Sequence, residues 1–126
     1  MDLSLTPLRA LAELDQFILD SHVTPVMLFK HSYTCGISAE AMDELRAYLH
    51  DQPATAAGIR YAMVTVQTHR DISNAIASRL GVRHETPQAI LVHEGRAVWT
   101  ASHFRVNAAE LQKTLESSFG LKSPSA

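Results

Sequence analysis

The sequence is sparing with several residue types, and each scarcity excludes something. One cysteine occurs in 126 residues. A single thiol rules out an internal disulfide, a Cys-x-x-Cys dithiol and any zinc site built on two or four cysteines. Aromatic residues make up 6% of the chain, too few for a base-stacking platform. Basic residues are not in excess: 11 Lys and Arg face 13 Asp and Glu, for a net charge of −2. That argues against a binder of nucleic-acid backbones. No stretch approaches the ~20 apolar residues needed to span a bilayer, so no membrane partner is expected. Met1-Asp2-Leu3-Ser4-Leu5 has neither the basic n-region nor the apolar run of a signal peptide. The expectation is one cytoplasmic domain over residues 1–121, a flexible tail over 122–126, and a thiol kept reduced. A chain of this length buries roughly two-thirds of its unfolded surface and needs no staple.

What is present alternates between two periodicities. Thr6-Pro7 reads as a helix N-cap followed by proline at the first helical position, and Leu8, Leu11, Leu14, Phe17 and Ile18 continue a helical pattern, predicting a helix over 7–20. Pro25 opens the apolar run Val26-Met27-Leu28-Phe29, a buried central strand. Residues 39–49 are good helix formers with Met42, Leu45 and Leu49 on one face. After the Asp51–Gly58 loop, Ile59–Val66 reads as a second strand. Asp71 caps a helix through Ile72, Ile76 and Leu80, which Gly81 closes. Gln88–Val92 and Arg96–Thr100 flank Glu94-Gly95 as a hairpin. Asn107 caps a last helix with Leu111, Leu115 and Phe119 inside. The order α-β-α-β-α-β-β-α predicts a four-stranded mixed α/β sheet flanked by helices on both faces, which is the thioredoxin-like order.

That order gives the lone cysteine a place. Cys35 follows Ser32-Tyr33-Thr34 and falls where a strand hands over to a helix. A thiol there meets unpaired backbone N–H groups and the positive end of the helix dipole, which lower its pKa from about 8.5. Lys30 and His31 add basic residues just upstream, and no Asp or Glu occurs between Asp20 and Glu40. Ser38 brings a hydroxyl within reach of the sulfur. The plainer reading is a small buried hydrophobe, but Cys35 lies outside the apolar run and in polar company. Thr86-Pro87 enters the strand at which a thioredoxin-like fold keeps a cis-proline, although only about 5–6% of X-Pro bonds are cis. The seven histidines show no tight metal-ligand spacing and read mostly as solvated residues. Trp99 reads as a large side chain packed on the sheet edge.

Phe29-Lys30-His31-Ser32 running into Thr34-Cys35-Gly36-Ile37-Ser38 resembles the active-site segment of the YtxJ-like monothiol bacilliredoxins. His84-Glu85-Thr86-Pro87-Gln88 resembles their cis-proline region, and Ala101-Ser102-His103-Phe104 the stretch after their last strand. The resemblance runs over about residues 6–119. It implies a thioredoxin-like redox protein that removes bacillithiol, a low-molecular-weight thiol, from mixed disulfides on client proteins. Cys35 is then the attacking thiol. Gly36, Ile37, Ser38, Lys30 and His31 surround and stabilise the thiolate, and Thr34, Thr86 and Pro87 form the substrate groove. The partners implied are S-thiolated clients and an external reducing thiol or reductase, with the small thiol as co-substrate, no permanent cofactor or metal, and a monomer or weak dimer. The family commonly carries proline where this chain has Gly36. The resulting Cys-Gly-x-Ser also resembles monothiol glutaredoxins with a Cys-Gly-Phe-Ser site, Ile37 replacing the phenylalanine. Two further readings follow: an iron–sulfur carrier ligated by Cys35 and an external thiol, and a non-enzymatic thioredoxin-fold binding module.

Overall fold

The central strand decides the layers, because successive side chains on a strand point to opposite faces. In a computed structural model of the chain, residues 5–34, 36–51 and 58–119 are described. Cys35, most of the 51–58 loop and the 122–126 tail lie outside them. The elements are β1 (Leu5–Pro7), α1 (Leu11–Asp20), β2 (Val26–His31), α2 (Gly36–Asp51), β3 (Arg60–Thr65), α3 (Arg70–Leu80), β4 (Gln88–His93), β5 (Arg96–Ser102), a 3₁₀ turn (His103–Arg105) and α4 (Ala108–Phe119).

The sheet order is β1-β3-β2-β4-β5. β1 and β2 run parallel to β3, with His31 beside Thr65. β4 is antiparallel to both β2 and β5. On β2, Val26 and Leu28 join Leu14, Phe17, Ile72 and Ile76 on the face covered by α1 and α3. Met27 and Phe29 join Leu45, Leu49, Leu111 and Leu115 on the face covered by α2 and α4. Each fully buried Leu, Ile or Phe contributes roughly 1.5–3 kcal/mol, so the two layers together supply the driving force of folding.

The structure adds a fifth strand. Thr6-Pro7, expected as a helix start, lies instead in the strand Leu5–Pro7, which pairs with Tyr61–Met63, and the backbone N–H of Leu8 continues the pairing to Met63 O at 2.7 Å. Proline is tolerated at the end of an edge strand, and burial of Leu8 anchors the segment. The helix begins at Leu11, where the Glu13 carboxylate accepts the N–H groups of Arg9 (2.7 Å) and Ala10 (3.0 Å). α2 starts three residues earlier than its best helix formers suggest, and α3 starts at Arg70, so Asp71 lies in its first turn rather than at its cap. Gly81 ends α3 in the left-handed conformation. The β4–β5 turn has positive φ at Glu94 and Gly95, as a two-residue type I′ hairpin demands. Asn107 Oδ1 accepts the Glu110 N–H at 2.9 Å and caps α4. Trp99 is partly buried against the α2/α4 layer.

Candidate active site

Open α/β sheets bind ligands beyond the carboxyl ends of strands where the chain departs to opposite sides. β2 offers that place here, with β3 on one flank and β4 on the other. After His31 the chain turns through Ser32-Tyr33-Thr34, and α2 begins at Gly36. Cys35, between Thr34 and Gly36, lies outside the described residues. Its neighbours are held on both sides. The fully buried Ser38 hydroxyl oxygen accepts the backbone N–H of Ser32 at 3.3 Å, tying the first turn of α2 to the end of β2. Gln67, just past β3, accepts the Tyr33 N–H at 3.4 Å. Its amide donates to Thr34 Oγ1 at 3.1 Å and to Ser32 Oγ. A Cβ at Gly36 would meet no atom within 4 Å, so the local fold has room there for a side chain.

The Thr86–Pro87 peptide bond is cis. Pro87 leads directly into β4, whose Gln88 pairs with Lys30 on β2. Continued one residue further, that register carries Pro87 toward His31. The carbonyl of Pro87 accepts the N–H of His103 at 2.9 Å. Ser102 Oγ donates to Glu85 Oε1 at 2.7 Å, and His103 Nε2 lies 3.5 Å from Glu85 Oε2. The Ser102 hydroxyl and His103 hold the Glu85 carboxyl below the usual carboxylate range. The segments 84–88 and 101–104 are thereby fastened together beside the β2–α2 turn. Ile37 faces the exposed Phe104 and His103 across a small recess between α2 and the 3₁₀ turn.

Lys30 and His31, paired in the sequence reading as neighbours of the thiol, are parted by the pleat. His31 lies on the α2 face: its ring stacks on Phe29 with centroids 6.3 Å apart. Burial lowers its pKa from the ordinary imidazole value, with the Ser38 backbone opposing and Arg46 adding to the fall. Its Nδ1 is shielded from water and has no hydrogen-bond partner among the described residues.

Lys30 lies on the α1/α3 face, fully buried, with Nζ 3.1 Å from His84 Nδ1. Burial lowers its pKa to about 8. An ammonium only donates, so His84 Nδ1 accepts, and a neutral His84 must carry its proton on Nε2. That nitrogen lies 3.4 Å from Thr86 Oγ1. Ser73 Oγ approaches the same Nδ1 at 3.5 Å. Burial, Lys30 and Arg70 lower the His84 pKa, against Glu85.

The structure thus gathers Ser32, Thr34, Gly36 and Ser38 at the turn, and Thr86, Pro87 and His103 beside it. Gln67 and His84 were missed as site residues. Gln67 is found only once the parallel β2–β3 register is known. His84 is 54 residues from its partner Lys30, and nothing local marks it. Among the described residues no group of three or more His, Cys, Asp or Glu could hold a metal ion, and no helix is long and apolar enough to cross a membrane.

A family model described as monothiol bacilliredoxin BrxC matches residues 6–111. Among solved structures, one described as a candidate oxidoreductase with a thioredoxin fold is 31% identical, covering 89% of this chain and 93% of its own at a TM-score of 0.75. Thioredoxin from Fasciola hepatica is 17% identical, with 90% and 98% covered and a TM-score of 0.70. A mutant thioredoxin from Halobacterium salinarum is 22% identical, with 92% and 91% covered and a TM-score of 0.68. The fold is that of thioredoxin, with one additional edge strand beyond the four expected.

Proposed function

The chain belongs to the monothiol bacilliredoxin family, and we propose that it is a thiol–disulfide oxidoreductase removing a low-molecular-weight thiol, bacillithiol in the first instance, from mixed disulfides on cytoplasmic proteins. The observation that carries this is the junction itself. The only thiol in the sequence falls in the chain between Thr34 and Gly36, where β2 hands over to α2, and the strand β4 that pairs with β2 is entered through a cis Thr86–Pro87 bond. A helix N-terminus favours the thiolate, and the thiolate is the nucleophile.

The steps follow from having one sulfur. The Cys35 thiolate attacks the small-thiol sulfur of the mixed disulfide, forming a Cys35–small-thiol disulfide and releasing the client sulfur as a thiolate. No electrons are lost or gained overall: one S–S bond replaces another. Ser38 forms no disulfide, so a second thiol from outside must attack the adduct and regenerate Cys35. The small thiol is a co-substrate, and no bound cofactor takes part. Extended client chain would lie along the Thr86–Pro87 flank, where strand β4 begins, and pair with the Thr86 backbone.

Mass spectrometry after mixing the protein with a bacillithiolated client tests the reading. The expected result is the small-thiol adduct on Cys35 with stoichiometric release of reduced client, abolished in Cys35→Ser. Transfer by Cys35→Ser at the wild-type rate, or a client that is reduced while Cys35 stays free of adduct, sinks it.

A further inference from the structure

α2 has two flanks near its start, and a mixed disulfide has two halves. One flank carries Ile37, Phe104 and His103 beside the cis-proline segment. On the other, between α2 and β3, a recess of about 490 Å³ is walled by His31, Tyr33, Asp43, Arg46 and Thr65 over a floor of Met42 and Met63. Sites for small organic molecules run from roughly 300 to 1,000 Å³, so the recess has room for a molecule of a few hundred daltons. It adjoins the reacting position through the chain: Tyr33 precedes Cys35 by two residues and Ala39, also in its wall, follows by four.

Its polar groups are uncommitted. Asp43 and Arg46 are three apart on α2 and therefore share a face. Both are exposed. Neither belongs to any of the ion pairs among the described residues, which join Arg60 to Asp20, Arg79 to Asp15, His93 to Glu94 and His103 to Glu85. A wall offering one guanidinium and one carboxylate outside those ion pairs, over an apolar floor, complements a small zwitterion.

We infer that this recess binds the body of the small thiol, an amino-acid-derived thiol with a carboxylate seated on Arg46 and an amine facing Asp43, while the client occupies the cis-proline flank. The inference rests on the proposed exchange and deepens it. Thiolate attack on a disulfide runs in line with the departing sulfur, so the client sulfur lies opposite Cys35 and the body of the small thiol projects to the side of that line. The half that stays, now joined to Cys35, needs a seat from which the client can withdraw. Arg46 is suited to it because a guanidinium engages a carboxylate with two parallel hydrogen bonds.

The test separates binding from exchange by using S-methyl bacillithiol, which cannot form a disulfide, with 2-(methylthio)ethanol as the uncharged control. In NMR titrations the charged probe is expected to shift the amides of Ala39, Arg46 and Thr65. Arg46→Glu and Arg46→Gln should weaken it about tenfold, the loss of one charge-assisted contact, and leave the uncharged control unmoved. Shifts confined to Thr86 and His103, no binding at all, or equal affinity in wild type and both variants would each overturn the inference. Exchange is followed separately with a client carrying 2-mercaptoethanol. If Cys35 takes that neutral thiol while the charged probe ignores the recess, only the present inference fails. If Cys35 takes no small thiol from any client, the proposed function fails, whichever flank the probe occupies.

Discussion

Lys30 and His31 are adjacent in sequence and opposite in circumstance. Lys30 is fully enclosed on the α1/α3 face, its ammonium capped by the exposed His84. His31 stands on the α2 face at the wall of an open recess. One basic residue belongs to the scaffold and the other to the ligand-facing side, and a single step of the pleat divides them. The two also differ in charge near neutrality. Lys30, lowered to about 8, is still mostly protonated at pH 7. His31, lowered from the imidazole range, is mostly neutral there. Two adjacent basic residues suggest a doubled positive potential, but it is supplied from one side of the sheet.

The largest way to break this comparison is to remove the enclosed charge. A fall from 10.5 to about 8 corresponds to about 3 kcal/mol of penalty for the charged form, at 1.36 kcal/mol per unit. Between those values the unfolded chain binds the extra proton, so stability rises with pH from about 8 to about 10.5. Lys30→Met deletes the penalty, and His84, being exposed, can turn its freed nitrogen to water. The variant should therefore be more stable than wild type by up to about 3 kcal/mol at pH 7, with the gap closing by pH 10.5. Urea unfolding of both proteins at pH 7 and 10 measures it. A variant less stable at pH 7, or a gap that does not narrow, means that the ammonium is held by more than His84.

Next in size is the effect on the thiol. A cation acts on a neighbouring thiol through Coulomb attraction that favours the thiolate and weakens with distance and dielectric. Lys30→Met is expected to raise the midpoint of Cys35 alkylation by a few tenths to about one unit. His31→Phe should leave that midpoint unmoved above pH 7, because it deletes an uncharged ring. Iodoacetamide rates from pH 5 to 10 read both variants. A shift in His31→Phe matching or exceeding that in Lys30→Met would reverse the assignment of charge.

The same contrast explains how far the sequence could be read. Apolar runs, the Glu94-Gly95 turn and the Asn107 cap are local signals, and the elements they mark stand where expected. Thr6-Pro7 misled because its cap-like pattern is local, whereas its pairing with Tyr61–Met63 uses backbone groups that every residue possesses. At the site, the turn residues and Thr86-Pro87 were legible because they lie at element boundaries. The parting of Lys30 from His31 was legible in principle from strand alternation alone. The partner of Lys30 was not, since His84 is brought to it only by α3 and the return into β4.

The smallest expected effect concerns the turn rather than the sheet. Gln67 is exposed and holds Tyr33 and Thr34 by neutral hydrogen bonds. Bonds of this kind contribute roughly 0.5–1.5 kcal/mol each when water is the alternative, toward the lower end at the surface. Gln67→Ala should therefore cost about 1 kcal/mol locally. The Tyr33 amide should exchange with solvent about fivefold faster, because that energy is about 1.7 RT and local opening sets exchange at such positions. Leu28, fully buried in β2, should exchange as in wild type. If Leu28 accelerates with Tyr33, the turn and the strand open as one unit, and the polar loop carrying Cys35 is part of the core's cooperativity instead of a separately held ledge upon it.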